Sequence, residues 1–233
     1  MIVVHGFAPL PPLCSPSPFC IKLETWLRMA GLPYEPRGDF NPFQAPKGKA
    51  PYVTLEDGSV LSDSHHIIGA LSRRPEVTFD RWIGPRERAT TTLIQRTVEN
   101  HLYHAILYTR WVEPAGFAIL KGAYFGNLGP PMRWIVPIVA RRSVRKTLQL
   151  EGTSRHAAAE IVAGADEDLE ALAVTLGERP FFCGDEASTA DAIAYGALAC
   201  LHLSPFPGPL QDALRSRPTL VRFVERMRER YWS

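Results

Sequence analysis

Around Pro75 the apolar residues of this chain leave short, mixed runs and settle into helical spacing, a change that limits the folds open to it. Before that point the elements are brief. "MIVVHGF" is a dense β-branched run and reads as a buried strand. "APLPPLCSPS" is a loop, because its prolines sustain neither a helix nor a central strand. A helix with both ends marked follows. Ser17 stands at the N-cap and Pro18 at the first helical position, where its missing N–H costs nothing, while Gly31 and Pro33 close the far end. Cys20, Leu23, Leu27 and Ala30 share one face of it. "YEPR" (Tyr34–Arg37) predicts a second strand and "PYVTL" (Pro51–Leu55) a third. Asp57-Gly58 predicts a two-residue hairpin into a fourth strand through Val60 and Leu61. A helix capped by Ser62 or Asp63 completes the set. The order β-α-β then β-β-α suits a thioredoxin-like sheet, an α/β domain over residues 1–75.

Beyond Pro75 the pattern predicts an all-helical domain over residues 84–233. "GPRERATTTLIQRTVENHLYHAILYTRWVEP" keeps helical period, with Leu93, Val98, Leu102, Ala105 and Val112 on one face. An irregular, Gly/Pro-rich stretch, "GNLGPPMRWIVP", separates it from the basic run Arg141, Arg142, Arg145 and Lys146. That run reads as a solvated helix face, with phosphates or anionic lipid as its other use. Three further helices follow, in "SRHAAAEIVAGADEDLEALAVTLGER", "STADAIAYGALACLHL" and "TLVRFVERMRERYW". Ser188 and Asp191 form a capping box at the start of the second of these. A net charge of +2 argues against a nucleic-acid partner. The longest apolar run, "WIVPIVA", falls far short of the roughly 20 residues a transmembrane helix needs. No secretory leader is evident, and four cysteines without regular spacing read as free thiols, so the expected location is the cytoplasm.

The chemistry concentrates at Ser17-Pro18-Phe19-Cys20, a Cys-x-x-Cys box with serine where the reactive cysteine would stand. A helix N-terminus carries unpaired N–H groups and partial positive charge, which favour an anion such as a thiolate. Serine forms no mixed disulfide, but its hydroxyl can stabilise a thiol supplied by a cosubstrate. Ser15 is the rival hydroxyl, and Cys20 points into the core. A cis peptide before Pro51 would aim the Ala50 N–H and C=O at a ligand's backbone. Asp63-Ser64, opening a helix, would offer a hydroxyl and N–H groups to a carboxylate. His101 and His104 lie three apart on one helix, with no further residue at metal-ligand spacing, so no metal is expected.

The segments "SPFC-KLETWLRMAGLPYE", "KGKAPYVTL" and "DSHHII" resemble the N-terminal domain of glutathione transferases. Together with "FFCGDEASTADAIAYG" and the terminal "ERMRERYW", they resemble in finer detail the branch holding the failed-axon-connections and metaxin-like proteins. The resemblance implies the glutathione transferase fold and a cytoplasmic homodimer that conjugates glutathione to small electrophiles in detoxification. It implies Ser17 as the residue bonding the glutathione sulfur. Ala50 and Pro51 would pair with the cysteinyl backbone, Asp63 and Ser64 would hold the γ-glutamyl end, and Lys49 could reach the glycyl carboxylate. The acidic member is Asp63 where such enzymes usually show Glu, and Pro9–Pro16 lengthens the loop beside the site. The resemblance also places His101, His104, Tyr108 and Trp111, with Tyr103, beside the second-substrate pocket, a lining role set against plain core packing. Two other uses of the fold stay open: a non-catalytic metaxin-like binding protein, and thiol transfer through Cys20.

Overall fold

The computed structural model describes residues 1–126 and 128–233, so Asn127 of the Gly/Pro-rich stretch lies outside the described residues. β1 (Ile2–His5) turns Ile2 and Val4 inward and sits second in a four-stranded sheet of order β2-β1-β3-β4. β2 (Tyr34–Arg37) runs parallel to it, which requires a crossover, and α1 (Pro18–Met29) supplies one. β3 (Tyr52–Thr54) and β4 (Val60–Ser62) add antiparallel. Ile2, Val4 and Val53 form one sheet face, and they bury Leu23, Trp26 and Leu27 of α1 with Ile67 and Leu71 of α2 (Ser64–Leu71). On the other face His5 and Tyr52 stack with ring centroids 4.4 Å apart.

The hairpin differs from the expected two-residue turn. Leu55 donates to the Ser59 carbonyl at 2.8 Å, so the loop holds three residues, Glu56 to Gly58. Gly58 takes φ +82°, the left-handed place that closes such a loop and that glycine fills without strain.

The helical part begins with α3 (Pro85–Thr97) and α4 (Tyr103–Leu107), joined and then followed by wide π-type turns at Val98–Leu102 and Tyr108–Val112. Val98, Leu102 and Ala105 are buried as expected, but Leu93 is 69% exposed and Val112 only half-buried. Ile94, four residues before Val98, takes the inward place, and the second wide turn rotates Val112 off the stripe. Then come α5 (Pro114–Phe125), α6 (Met132–Glu151), α7 (Ala158–Leu176), α8 (Thr189–His202), α9 (Pro209–Arg215) and α10 (Pro218–Trp232). The stretch read as irregular through Pro137 is helical from Met132 onward, with Pro137 inside α6. Among the described residues no helix is long and apolar enough to cross a membrane.

α8 is the axis of the molecule. Ala190 through Leu201 are all buried, and a Cβ on Gly196 would fall 2.4 Å from the Pro18 carbonyl, so only glycine lets α1 lie this close. The joint is pinned at its ends. Trp26 Nε1 donates to Thr189 Oγ1 at 2.8 Å, and the Asp80 carboxylate accepts from the Thr189 N–H and hydroxyl. Buried Lys22 of α1 also pairs at 2.6 Å with half-buried Glu99 of the Val98–Leu102 turn.

Behind α1, burial pushes the Glu24 carboxyl up to about 7, against the pull of Tyr34, whose hydroxyl donates to it at 3.2 Å, and of nearby Arg28. Cys14 also lies within electrostatic reach of Glu24. The folded pKa exceeds the unfolded value of about 4.3, so this contribution is present at acid pH and lost as pH rises through 7. Glu24→Gln should therefore flatten the fall in melting temperature between about pH 5 and about pH 7; an unchanged slope in thermal melts would refute the assignment.

Candidate functional site

The sheet register assembles the site. His5 pairs with Tyr52, and Tyr52 with Ser62. The next residues outward, Gly6, Pro51 and Asp63, therefore all leave the sheet at the same end. A Cβ on Gly6 would lie 3.2 Å from Cys20 Sγ, which places the first turn of α1 over that end as well. Ser17, Ala50-Pro51 and Asp63-Ser64 are thus brought together by backbone geometry, with Lys49 exposed beside them.

Ser17 has extended backbone (φ −97°, ψ 124°), and its Oγ accepts the Cys20 N–H at 3.5 Å, a long cap bond. The side chain is half-buried. Ser15, the rival hydroxyl, is fully buried and accepts the Ser17 N–H at 3.3 Å, so it supports the site from beneath. The helical part holds this loop too. Arg110 Nη1 donates to the Pro16 carbonyl at 3.3 Å, and the Cys200 thiol reaches the same oxygen at 3.6 Å. Arg110 is only 5% exposed; it also donates to the Cys200 carbonyl and lies 4.7 Å over the Phe206 ring. Glu99, Tyr103 and Arg110 form a stripe along their helix, contacting Lys22, Phe19 and Pro16 in turn. Sequence reading missed Arg110, whose partners lie 90 or more residues away.

Cys20 is fully buried, and desolvation pushes its thiol up to about 11 against the Ser17 and Ser15 hydroxyls. It is a neutral core thiol at pH 7. All four cysteines are free, with no bond between Cys14 and Cys20.

The Ala50–Pro51 peptide is cis, and among the described residues the Ala50 N–H and C=O have no hydrogen-bond partner. Asp63 takes φ +77°, a sparsely populated region for a residue with a Cβ, and its Oδ1 accepts the His65 N–H at 2.9 Å and the His66 N–H at 3.4 Å. Its carboxylate therefore caps its own helix. Ser64 is buried in the first turn of α2.

The residues expected beside a second-substrate pocket are dispersed. His101 Nδ1 pairs with Asp168 at 2.6 Å, and His104 Nδ1 donates to the Asn100 carbonyl at 2.9 Å with Glu151 at 3.6 Å. His101, Glu151, His156 and Glu160 line a cleft of about 270 Å³ toward α6 and α7. Trp111 packs on Phe117 and Phe125, and Tyr108 on the helical core. Of the aromatic residues named on this helix, Tyr103 is the one packed edge-to-face on Phe19, two residues past Ser17, its phenol pushed up to about 12 by burial. Among the described residues no group of three His, Cys, Asp or Glu is placed to hold a metal ion.

Comparison with known proteins agrees with this architecture. The model for the glutathione S-transferase N-terminal domain matches residues 18–116, and that for the C-terminal domain matches residues 165–227, together more than half of the chain. Failed axon connections of Drosophila melanogaster is 33% identical over 245 residues, covering 99% of this chain and 58% of that protein, so the chain spans less than two thirds of the fly protein. Isoprene-epoxide–glutathione S-transferase of Rhodococcus sp. (strain AD45) is 28% identical over 241 residues, covering 99% of both chains. Metaxin-1 of Sus scrofa is 26% identical over 220 residues, 91% of this chain and 69% of that protein. Among solved structures, a glutathione S-transferase from Methylobacterium radiotolerans in complex with glutathione sulfonate superposes with a TM-score of 0.60 at 18% identity, covering 98% of this chain and 91% of that one. With a thioredoxin-like sheet, an all-helical second part and both family domains in order, the chain belongs to the glutathione S-transferase superfamily, alongside the failed-axon-connections and metaxin proteins.

Proposed function

We propose that the protein binds glutathione at the sheet end carrying Ser17 and conjugates it to a small electrophile as a cytoplasmic homodimer active in detoxification. The observation that supports this reading is the shared register of His5, Tyr52 and Ser62, which sends Gly6, Pro51 and Asp63 out of the sheet at one end, with the start of α1 close to Gly6. The residues present fit a peptide ligand. The Ala50 N–H and C=O, without a partner among the described residues, suit an extended peptide backbone, Ser64 in the first turn of α2 suits a carboxylate, and exposed Lys49 suits a second one. Asp63 contributes by fixing that helix start, since its carboxylate is already engaged. Glutathione supplies the nucleophilic sulfur. Ser17 holds its hydroxyl at the positive end of α1, where a negative sulfur is favoured, and Arg110 holds the loop that presents Ser17. An epoxide is the first electrophile to test, because the Rhodococcus relative is named for one.

The buried, neutral Cys20 gives no support to thiol transfer through that residue. A non-catalytic, metaxin-like binding role has one observation in its favour, the exposed apolar face of α6. Calorimetry with glutathione separates the two readings. Heat of binding together with epoxide-dependent loss of free thiol supports the transferase; no binding by the folded protein sinks it.

A further inference from the structure

The apolar residues of α6 divide between two faces. Pro137, Arg141, Val144 and Leu148 turn inward at i, i+4, i+7 and i+11, and of these Pro137 and Leu148 are buried. The opposite stripe begins with Ile135, Ile138 and Val139, and Trp134 stands beside it. Ile138 is 64% exposed, Val139 62% and Trp134 50%. A surface helix ordinarily carries polar residues on its outer face, and a contiguous apolar patch of this kind marks an interaction site. The same stripe continues into Arg142, Arg145 and Lys146, all exposed and none in an ion pair among the described residues. Arg141 is not part of it. Its guanidinium is tied to the Trp111 and Val112 carbonyls at 2.8 Å and stacks on Phe117.

Charge decides what covers this face. Between Glu113 and Glu151 the chain carries no acidic residue, whereas Lys121, Arg133, Arg141, Arg142, Arg145 and Lys146 are all basic. A second copy laid across α6 would bring like charge against like charge with no carboxylate in this segment to neutralise it, which is unfavourable across an interface. An anionic lipid surface meets both halves. Trp134, Ile135, Ile138 and Val139 can enter the boundary between headgroups and acyl chains, while Arg142, Arg145 and Lys146 remain at the phosphates. We propose that α6 docks the folded protein peripherally on an anionic membrane surface, apolar half inserted and basic half at the headgroups. This inference stands apart from the glutathione reading and uses none of its residues.

The test is co-sedimentation of the full chain with vesicles of phosphatidylcholine alone and of phosphatidylcholine mixed with phosphatidylserine. Binding to the mixed vesicles, much weaker binding to the neutral ones, and release by salt are expected. Substituting Arg142, Arg145 and Lys146 together by Ala should weaken binding roughly 100-fold at low salt, at about 1 kcal/mol for each cation near the surface. The double variant Trp134→Ser, Ile138→Ser should weaken it at least about tenfold at any salt. All five positions are exposed, so thermal melts should match the parent. Failure to bind mixed vesicles, or binding indifferent to both variants, overturns the proposal. So does a concentration-dependent dimer that the apolar variant abolishes without any vesicle binding, which would give the face to a second copy.

Discussion

Asp191→Ala should lower the melting temperature by roughly 6–20 °C, at about 2–4 °C per kcal/mol for a chain of this size. The carboxylate is fully buried and accepts three hydrogen bonds at 2.8 Å, from the Phe182 N–H, the Ser188 N–H and the Ser188 hydroxyl. Removing it leaves three buried donors unpaired, each costing about 1–3 kcal/mol, partly offset by relief of the carboxylate's own desolvation; a net loss of roughly 3–5 kcal/mol follows. The damage falls at the start of α8, the helix that α1 packs against through Gly196. Asp191→Asn, which keeps an acceptor for Phe182, should lose less. The sign with pH follows from burial, which raises this carboxyl to about 6 despite its hydrogen bonds. The folded value lies above the unfolded one of about 3.9, so the advantage over Ala is greatest in acid and shrinks as pH rises through 6. Thermal melts at pH 5 and pH 8 check both points. A fall of less than about 2 °C at either pH would show that the box is not holding the helix.

What could be read from the sequence had local causes. Ser17 and Pro18 mark a helix start by chemistry confined to one turn, as Ser188 and Asp191 do, and both are found capping the helices they begin. The strands and their order carried period and punctuation strong enough to read. α5 did not, because "PAGFAILKGAYF" has almost no polar residue to reveal a period, and α9 has only seven residues. The hairpin was off by one residue, since Asp-Gly serves both two- and three-residue loops. The wide turns at Val98–Leu102 and Tyr108–Val112 leave no compositional trace, yet they set which way the side chains from Val98 to Val112 face. That is why His101 and His104 meet Asp168 and Glu151 while Arg110 reaches the loop before Ser17. The three junctions of the candidate site were legible one at a time. Their convergence depends on the register of three strands, a long-range property.

Ser17→Ala should reduce glutathione-dependent turnover by roughly 10- to 100-fold while leaving the protein folded. A hydrogen bond to a charged group is worth about 1.5–3 kcal/mol, and each 1.4 kcal/mol is a factor of ten in rate. The structural cost of the same change is small. The cap bond is long, at 3.5 Å, and Pro18 holds the helix start independently, so the loss belongs at the low end of the roughly 0.5–2 kcal/mol range for a cap. A fall of only a degree or two in melting temperature therefore separates lost chemistry from lost fold. Binding should survive, because on the proposed reading the Ala50 backbone and Ser64 would hold the peptide without Ser17, so calorimetry with glutathione should report a nearly unchanged Kd. The pH profile carries the mechanism. With the hydroxyl gone, the bound thiol returns toward its ordinary pKa near 8.5, and the acid limb of turnover moves to higher pH. Ser17→Thr keeps the hydroxyl and should keep most of the activity. Alkylating the accessible thiols should leave turnover intact, since Cys20 is buried and neutral. Full activity in Ser17→Ala, or a loss of rate with no movement of the acid limb, would remove Ser17 from the chemistry and leave it only as the residue that starts α1.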